Sequence, residues 1–104
     1  MNEELIQKLS IVEQNLSSII SQKQLIQKQI FEANNAIEEL NKVDTAYKIV
    51  GQVMLKKSSK ELIKSLESEK EISAVRISTI EKQEKTLREQ MDSLQKQLLS
   101  QMKN

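Results

Sequence analysis

Side chains that could carry covalent or metal chemistry are scarce in this chain. Its 104 residues include no histidine and no cysteine, which excludes nucleophilic triads, the common zinc sites and imidazole proton transfer. A single glycine, Gly51, cannot build a phosphate-binding loop. The neighbouring carboxylates Glu38 and Glu39 fall on a helix face that we expect to be solvated, with no pocket around them. We therefore predict that the chain is not an enzyme and that it has no metal site and no cofactor.

The charge and composition also narrow the range of partners. Sixteen Lys and Arg against fifteen Asp and Glu leave a net charge of +1, so no global field attracts nucleic acid or an anionic membrane. Aromatic residues make up 2% of the chain, too few to stack bases, and no apolar run approaches the ~18 to 20 residues that cross a bilayer. The start, Met1-Asn2-Glu3-Glu4, does not resemble a signal peptide. We expect a cytoplasmic protein with no nucleic-acid or membrane partner.

Most of the chain follows the repeat of a coiled coil. Apolar side chains recur at alternating spacings of four and three, which is the a/d pattern of two long amphipathic helices. Lys23 is the polar member of the first seam, and Lys70, Ser73 and Glu84 are those of the second. The apolar positions are Leu5, Leu9, Val12, Leu16, Ile19, Ile26, Ile30, Ala33, Ile37 and Leu40, then Ile63, Leu66, Ile77, Ile80, Leu87, Met91, Leu94 and Leu98.

The two seams match if the chain folds back on itself. When residues whose numbers sum to 103 are paired, each apolar pair joins an a position to a d position, from Leu5 with Leu98 to Leu40 with Ile63. This register places the bend between Gly51 and Gln52. We therefore predict a mainly α fold, an antiparallel two-helix coiled coil joined by a short β-hairpin, as a single domain over 1–104. The predicted elements are a helix over about 3–43, a β-hairpin over about 45–57 and a helix over about 59–102.

Charged side chains should support the helices. Ser58 followed by Glu61 predicts a capping box at the start of the second helix. In the register above, Lys23 and Glu84 lie about one turn apart across the seam. We also predict exposed i, i+4 ion pairs, which are Glu4 with Lys8, Glu38 with Lys42 and Glu81 with Lys85.

The bend, with sequence YKIVGQVMLKK, differs in chemistry from both helices. β-Branched and aromatic residues on both sides of a glycine predict a hairpin, with Gly51 supplying a backbone angle that other residues resist. A lone hairpin is marginal in water, and a small closed barrel needs about eight strands, so hairpins of several chains should assemble. The alternative is a loop that caps the coiled coil. The predicted oligomerisation residues are Tyr47, Ile49, Val50, Gly51, Val53, Met54 and Leu55.

Two segments resemble the beta-class subunits of prefoldin, with the archaeal branch closest. They are NKVDTAYKIVGQVMLKK at Asn41 to Lys57 and RISTIEKQEKTLREQMDSLQ at Arg76 to Gln95. The likeness extends more weakly through the first helix and so spans nearly the whole chain. The hairpin motif is the more specific of the two, because many coiled coils look like the second segment.

This resemblance implies a function and a set of partners. Prefoldin is a hexamer of two alpha and four beta subunits, in which hairpins form intersubunit β-barrels and coiled coils project from them. The resemblance implies an ATP-independent chaperone that captures unfolded client proteins and delivers them to a group II chaperonin. The implied partners are thus the prefoldin alpha subunit, unfolded clients and the chaperonin.

The chain ends offer a candidate client-binding surface. The predicted register brings both ends together, where frayed last turns leave apolar side chains with fewer partners, and flexible side chains on several arms suit weak binding to many clients. Ile6, Leu99 and Met102 lie beside the seam and are the better candidates; the other four are equally well explained as terminal seam residues. We call the following seven the tip residues: Leu5, Ile6, Leu9, Leu94, Leu98, Leu99 and Met102.

Two interpretations stay open at this point. A structural coiled-coil scaffold or tether without client activity is the alternative to a chaperone, and it would have no need of the β-hairpin. The lysines around the hairpin are interpreted as a solvated edge that discourages aggregation, with contact to an acidic partner or to nucleic acid as the alternative.

Overall fold

The computed structural model describes residues 2–102, so the predicted domain limits at 1 and 104 lie outside the described residues. The elements in chain order are α1 (Asn2–Leu40), β1 (Thr45–Val50), β2 (Val53–Ser58) and α2 (Ser59–Met102). Two long antiparallel helices joined by a two-stranded β-hairpin confirm the predicted fold class. The chain divides into two compact units, one within residues 1–25 and 77–104 and one within residues 26–76.

In the first unit, the predicted a and d positions form the buried seam. Val12, Leu16 and Ile80 are the most buried apolar residues, each with 7–9% of its surface exposed. Leu87, Met91 and the other seam positions on both helices are half-buried, whereas the residues between them are almost all exposed. The apolar period of 3.5 therefore produces one covered stripe on each helix.

The second unit has a more open seam. Ile30, Ala33 and Leu66 are half-buried, as are the polar seam positions Lys70 and Ser73. The small side chains at Ala33 and Ser73 fill little of the space between the helices, and they line a groove of about 590 Å³. Among the described residues, no apolar side chain of this unit is as buried as Val12, Leu16 and Ile80 of the first unit.

Backbone hydrogen bonds bring α1 to an end before the hairpin. The Asn41 N–H still donates to the Ile37 carbonyl at 3.0 Å in the α-helical pattern. The N–H groups of Lys42 and Val43 then donate to carbonyls three residues earlier, at 3.1 and 3.3 Å. This tightening of the last turn satisfies carbonyls that the helix leaves free, so the regular helix stops at Leu40.

The start of α2 is fixed by two contacts. The Ser59 N–H donates to the Asp44 carbonyl at 3.0 Å, which closes the base of the hairpin. The Glu61 N–H donates to the Ser58 hydroxyl oxygen at 3.2 Å, so Ser58 caps the helix. This is one half of the predicted capping box; within the described residues the Glu61 carboxylate does not accept a hydrogen bond from the Ser58 N–H in return.

The hairpin has the predicted fold-back point. Its pairs run from Thr45 with Ser58 to Val50 with Val53, so every pair of position numbers sums to 103 and the turn is Gly51-Gln52. Gly51 has φ of +61°, and no non-glycine residue in the described part of the chain has a positive φ. A positive φ at the first turn residue only is the pattern of a type II′ turn, which requires glycine there and matches the twist of the strands.

Candidate functional site

The two faces of the hairpin are both apolar near the turn. Residues paired across the strands share a face, so Tyr47, Ile49 and Met54 lie on one side, together with Lys56. Val50, Val53 and Leu55 lie on the other side, together with Lys48, Lys57 and Ala46. Neither face is thus the hydrophilic side that an ordinary solvent-facing hairpin would present.

The predicted oligomerisation residues are uncovered in the isolated chain. The apolar side chains of the first face are 60–70% exposed and those of the second 42–55%. The sheet has two strands only in the described residues, so both edges leave main-chain groups unpaired. At about 25 cal/mol per Å² of apolar surface removed from water, covering both faces would strongly stabilise a hairpin that is marginal by itself.

The tip residues all belong to the first unit and fall into two groups. Leu5, Leu9, Leu94 and Leu98 are half-buried in the seam. The other three are exposed, with 52% of the Ile6 surface, 57% of Leu99 and 68% of Met102 accessible. Ile6, Leu99 and Met102 occupy heptad positions e, b and e, which lie on the same side of the seam in an antiparallel coiled coil. These three residues therefore form the solvent-exposed apolar surface among the tip residues.

A groove on the other side of the same seam was missed by sequence reasoning. Its volume is about 570 Å³, and its apolar lining includes Ile11, Val12 and Leu94. Ile11 is 57% exposed although it is a large aliphatic residue. The sequence signal that could have indicated this groove is the position of Ile11 outside the a/d pattern.

A charged cluster occupies the seam of the first unit. The Lys23 ammonium lies 3.2 Å from one Glu84 carboxylate oxygen and 3.6 Å from a Glu81 oxygen. Arg88 donates to the other Glu84 oxygen through Nη2 at 2.9 Å and Nε at 3.1 Å. The hydrogen bonds from Arg88 and Lys23 lower the pKa of Glu84 below its ordinary 4.5. The hydrogen bond to Glu84 raises the pKa of Lys23 above its ordinary 10.5.

This cluster corrects part of the charge predictions. Lys23 and Glu84, predicted about one turn apart across the seam, bridge that offset with their long side chains and form an ion pair. Glu81 contacts Lys23, so the predicted pair with Lys85 does not form.

The exposed pairs had a mixed outcome. Lys8 and Glu4 lie 3.5 Å apart, which confirms that pair. Lys42 contacts Glu39 at 3.3 Å instead of Glu38, because α1 has already ended at Leu40 and the i, i+4 geometry no longer holds there.

Within residues 2–102, no group of three or more Asp or Glu side chains is arranged to hold a metal ion. Across the same described range, none of the helices has the length and apolar character that crossing a bilayer requires. The notable features are therefore the uncovered hairpin and the exposed apolar surfaces of the coiled coil.

These features define a class of protein, a coiled-coil hairpin of two long helices whose connecting β-hairpin has exposed apolar faces and unpaired strand edges. The family model described as "Prefoldin subunit" matches residues 3–104. Prefoldin subunit beta of Archaeoglobus fulgidus is 34% identical over 97 residues, covering 90% of this chain and 84% of that one. The same subunit of Methanospirillum hungatei is 36% identical over 100 residues, covering 93% and 83%.

The solved structures include a similar molecule. The crystal structure of the prefoldin beta subunit from Thermococcus strain KS-1 matches with a TM-score of 0.88 and 28% identity, covering 99% of this chain and 93% of that one. The chain belongs to the prefoldin family, within its beta class. It is therefore a non-enzymatic chaperone subunit that assembles with other prefoldin subunits, which confirms the predicted family and the prediction that it is not an enzyme.

Proposed function

We propose that this chain forms a hexamer as four beta subunits with two alpha subunits. In that complex it is an ATP-independent holdase, which captures unfolded proteins at the coiled-coil tips and delivers them to a group II chaperonin. The complex acts in the cytoplasm and binds neither nucleic acid nor membranes.

The observation that carries the proposal is the hairpin. Six apolar side chains on its two faces are 42–70% exposed, and both strand edges are unpaired among the described residues. A shared sheet or barrel covers such faces and edges at once. A scaffold that self-associates through its helices has no use for this element.

Client capture is assigned to the tip residues. Exposed Ile6, Leu99 and Met102 offer flexible apolar contacts that adapt to many sequences. A single contact of this kind is weak, and several arms that engage one unfolded chain raise the overall affinity through a high effective concentration. No nucleotide is needed for such binding, because it depends only on burial of apolar surface.

The test replaces Ile6, Leu99 and Met102 together by serine in the assembled complex. The control replaces Leu25, Phe31 and Ile72 by serine, since these residues are 55–65% exposed and lie elsewhere on the helices. We expect the tip variant to assemble normally but to lose most of its suppression of client aggregation, measured by light scattering of a denatured test protein. Equal suppression by the tip and control variants would rule out the tips as the binding surface.

A further inference from the structure

The hairpin and the first two residues of α2 form a strongly basic segment of this chain. Residues 45–60 contain Lys48, Lys56, Lys57 and Lys60 and no carboxylate. Among the described residues, none of these four lysines forms an ion pair. Of the other described lysines, six form ion pairs, namely Lys8, Lys23, Lys28, Lys42, Lys70 and Lys96, and Lys64, Lys82 and Lys85 do not. The positive charge of this segment therefore has no ion-pair partner within residues 2–102, and the segment itself contains no carboxylate.

The strand register places the first three of these lysines where a neighbouring strand would meet them. We call Lys48, Lys56 and Lys57 the hairpin lysines. Lys48 is opposite Leu55 and Lys57 is opposite Ala46, so these two lysines are diagonal neighbours on one face. Lys56 is opposite Tyr47 on the other face. Each face therefore carries positive charge toward the helix ends of the strands and apolar surface toward the turn.

Pairing with a second copy of this chain would bring like charges together. Two β2 strands paired antiparallel over their full length place Lys56 of each copy diagonal to Lys57 of the other on a shared face. Diagonal positions are about 7 to 8 Å apart, within reach of long side chains. A strand that carried Asp or Glu at the facing positions would instead form attractive cross-strand pairs.

We propose that the hairpin lysines select the neighbour of this hairpin. They disfavour edge pairing with a second copy and favour the edge strand of a different subunit that carries carboxylates at the facing positions. The inference rests on the proposed function in one respect, that hairpins of different chains share a sheet. It adds that the choice of neighbour is electrostatic, whereas the apolar faces supply most of the affinity.

The test neutralises the hairpin lysines in the full chain as Lys48→Gln, Lys56→Gln and Lys57→Gln. The matched control is Lys64→Gln, Lys82→Gln and Lys85→Gln, which removes the same charge from helix lysines that form no ion pair among the described residues. Sedimentation velocity measures self-association of each chain alone, at about 0.05 M and about 0.5 M salt, where screening differs strongly.

We expect the hairpin variant to self-associate about tenfold more tightly than the wild type at low salt, because several repulsive cross-strand contacts between lysines are removed. High salt should raise self-association of the wild type toward that of the variant, and the control should behave as the wild type. Equal self-association of variant, control and wild type at low salt would overturn the proposal.

A second arm adds the other prefoldin subunit of the same cells. Assembly of the wild type should weaken as salt rises, and assembly of the hairpin variant should be weaker and less sensitive to salt. Assembly of the variant with the wild type's affinity and salt dependence would contradict the proposal. If the wild type formed no mixed complex, the proposed function would fail, and the self-association arm would still decide the role of the lysines.

Discussion

Replacing Gly51 by valine should abolish assembly while leaving the helices intact. Gly51 adopts φ of +61° in the two-residue turn, where an L-residue costs roughly 1 to 2 kcal/mol and a β-branched residue is least tolerated. A Cβ added at Gly51 would have no atom within 4 Å. The cost of the substitution therefore comes from the backbone conformation and not from a clash.

The conformational cost at Gly51 should add up over all copies of this chain in the complex. A loss of about 1.4 kcal/mol reduces the population of the formed hairpin about tenfold. With four such hairpins in the proposed hexamer, the total penalty reaches about 4 to 8 kcal/mol. That is a large part of what holds many specific complexes together, so the hexamer should dissociate at micromolar concentration. The helices form their own seam and should keep their stability.

The control is Gln52→Val, which adds the same side chain at the adjacent turn residue, where φ is not positive. Circular dichroism should give equal helix content for the wild type and both variants. Size-exclusion chromatography with light scattering should show a hexamer for the wild type and for Gln52→Val only. A stable Gly51→Val hexamer would refute the assignment of the turn as a conformational requirement for assembly.

The remaining predictions concern charge and capping. Because the pKa of Glu84 is lowered from 4.5 and that of Lys23 is raised from 10.5, their stabilisation should be complete between these values. This stabilisation should be lost as the pH falls below 4.5 or rises above 10.5. The melting temperature of Glu84→Gln should therefore fall less on acidification than that of the wild type. An equal fall of the two melting temperatures would contradict the ion pair. Ser58→Ala should cost about 0.5 to 2 kcal/mol, because it removes the cap of α2, whereas Ser59→Ala should leave the melting temperature equal or higher. The Ser59 hydroxyl is buried without a hydrogen-bond partner among the described residues, and a large loss in Ser59→Ala would reveal a partner for it.

The seam and the turn could be predicted because each has a strong local signal. The a/d spacing fixed which residues are covered, down to the half-buried polar positions Lys70 and Ser73. One glycine between β-branched runs located the turn, and the pair Val50 with Val53 follows from it. The spacing of apolar residues and the need for glycine at a turn follow from backbone geometry, so both can be recognised in a single sequence.

The partners of long charged side chains could not be predicted in the same way. Spacing puts Glu81 within reach of Lys85, and the structure pairs it with Lys23 on the other helix. Surface ion pairs are worth little individually, and several rotamers compete at similar energy. The capping contact of Ser58 was predictable because it involves a short side chain and a fixed backbone N–H.

The exposed apolar residues that make up the candidate site could be picked out in the sequence, and their role in binding stays a prediction. Apolar residues around Gly51 and beside the seam were evident from the sequence, and they are exposed to solvent in the isolated chain. The groove beside Ile11 was missed, since its shape depends on how Val12 and Leu94 leave space between two helices. In the proposed assembly the hairpin is covered by other chains, so the partner surface of that interface cannot be derived from the sequence of this chain.

The most direct test of the account is the native mass spectrum of the complex recovered with a tagged copy of this chain from its own cells. The account predicts a hexamer with four copies of this chain and two copies of a second coiled-coil subunit. A monomer or homodimer without the second subunit would contradict the proposed assembly and favour a coiled-coil scaffold.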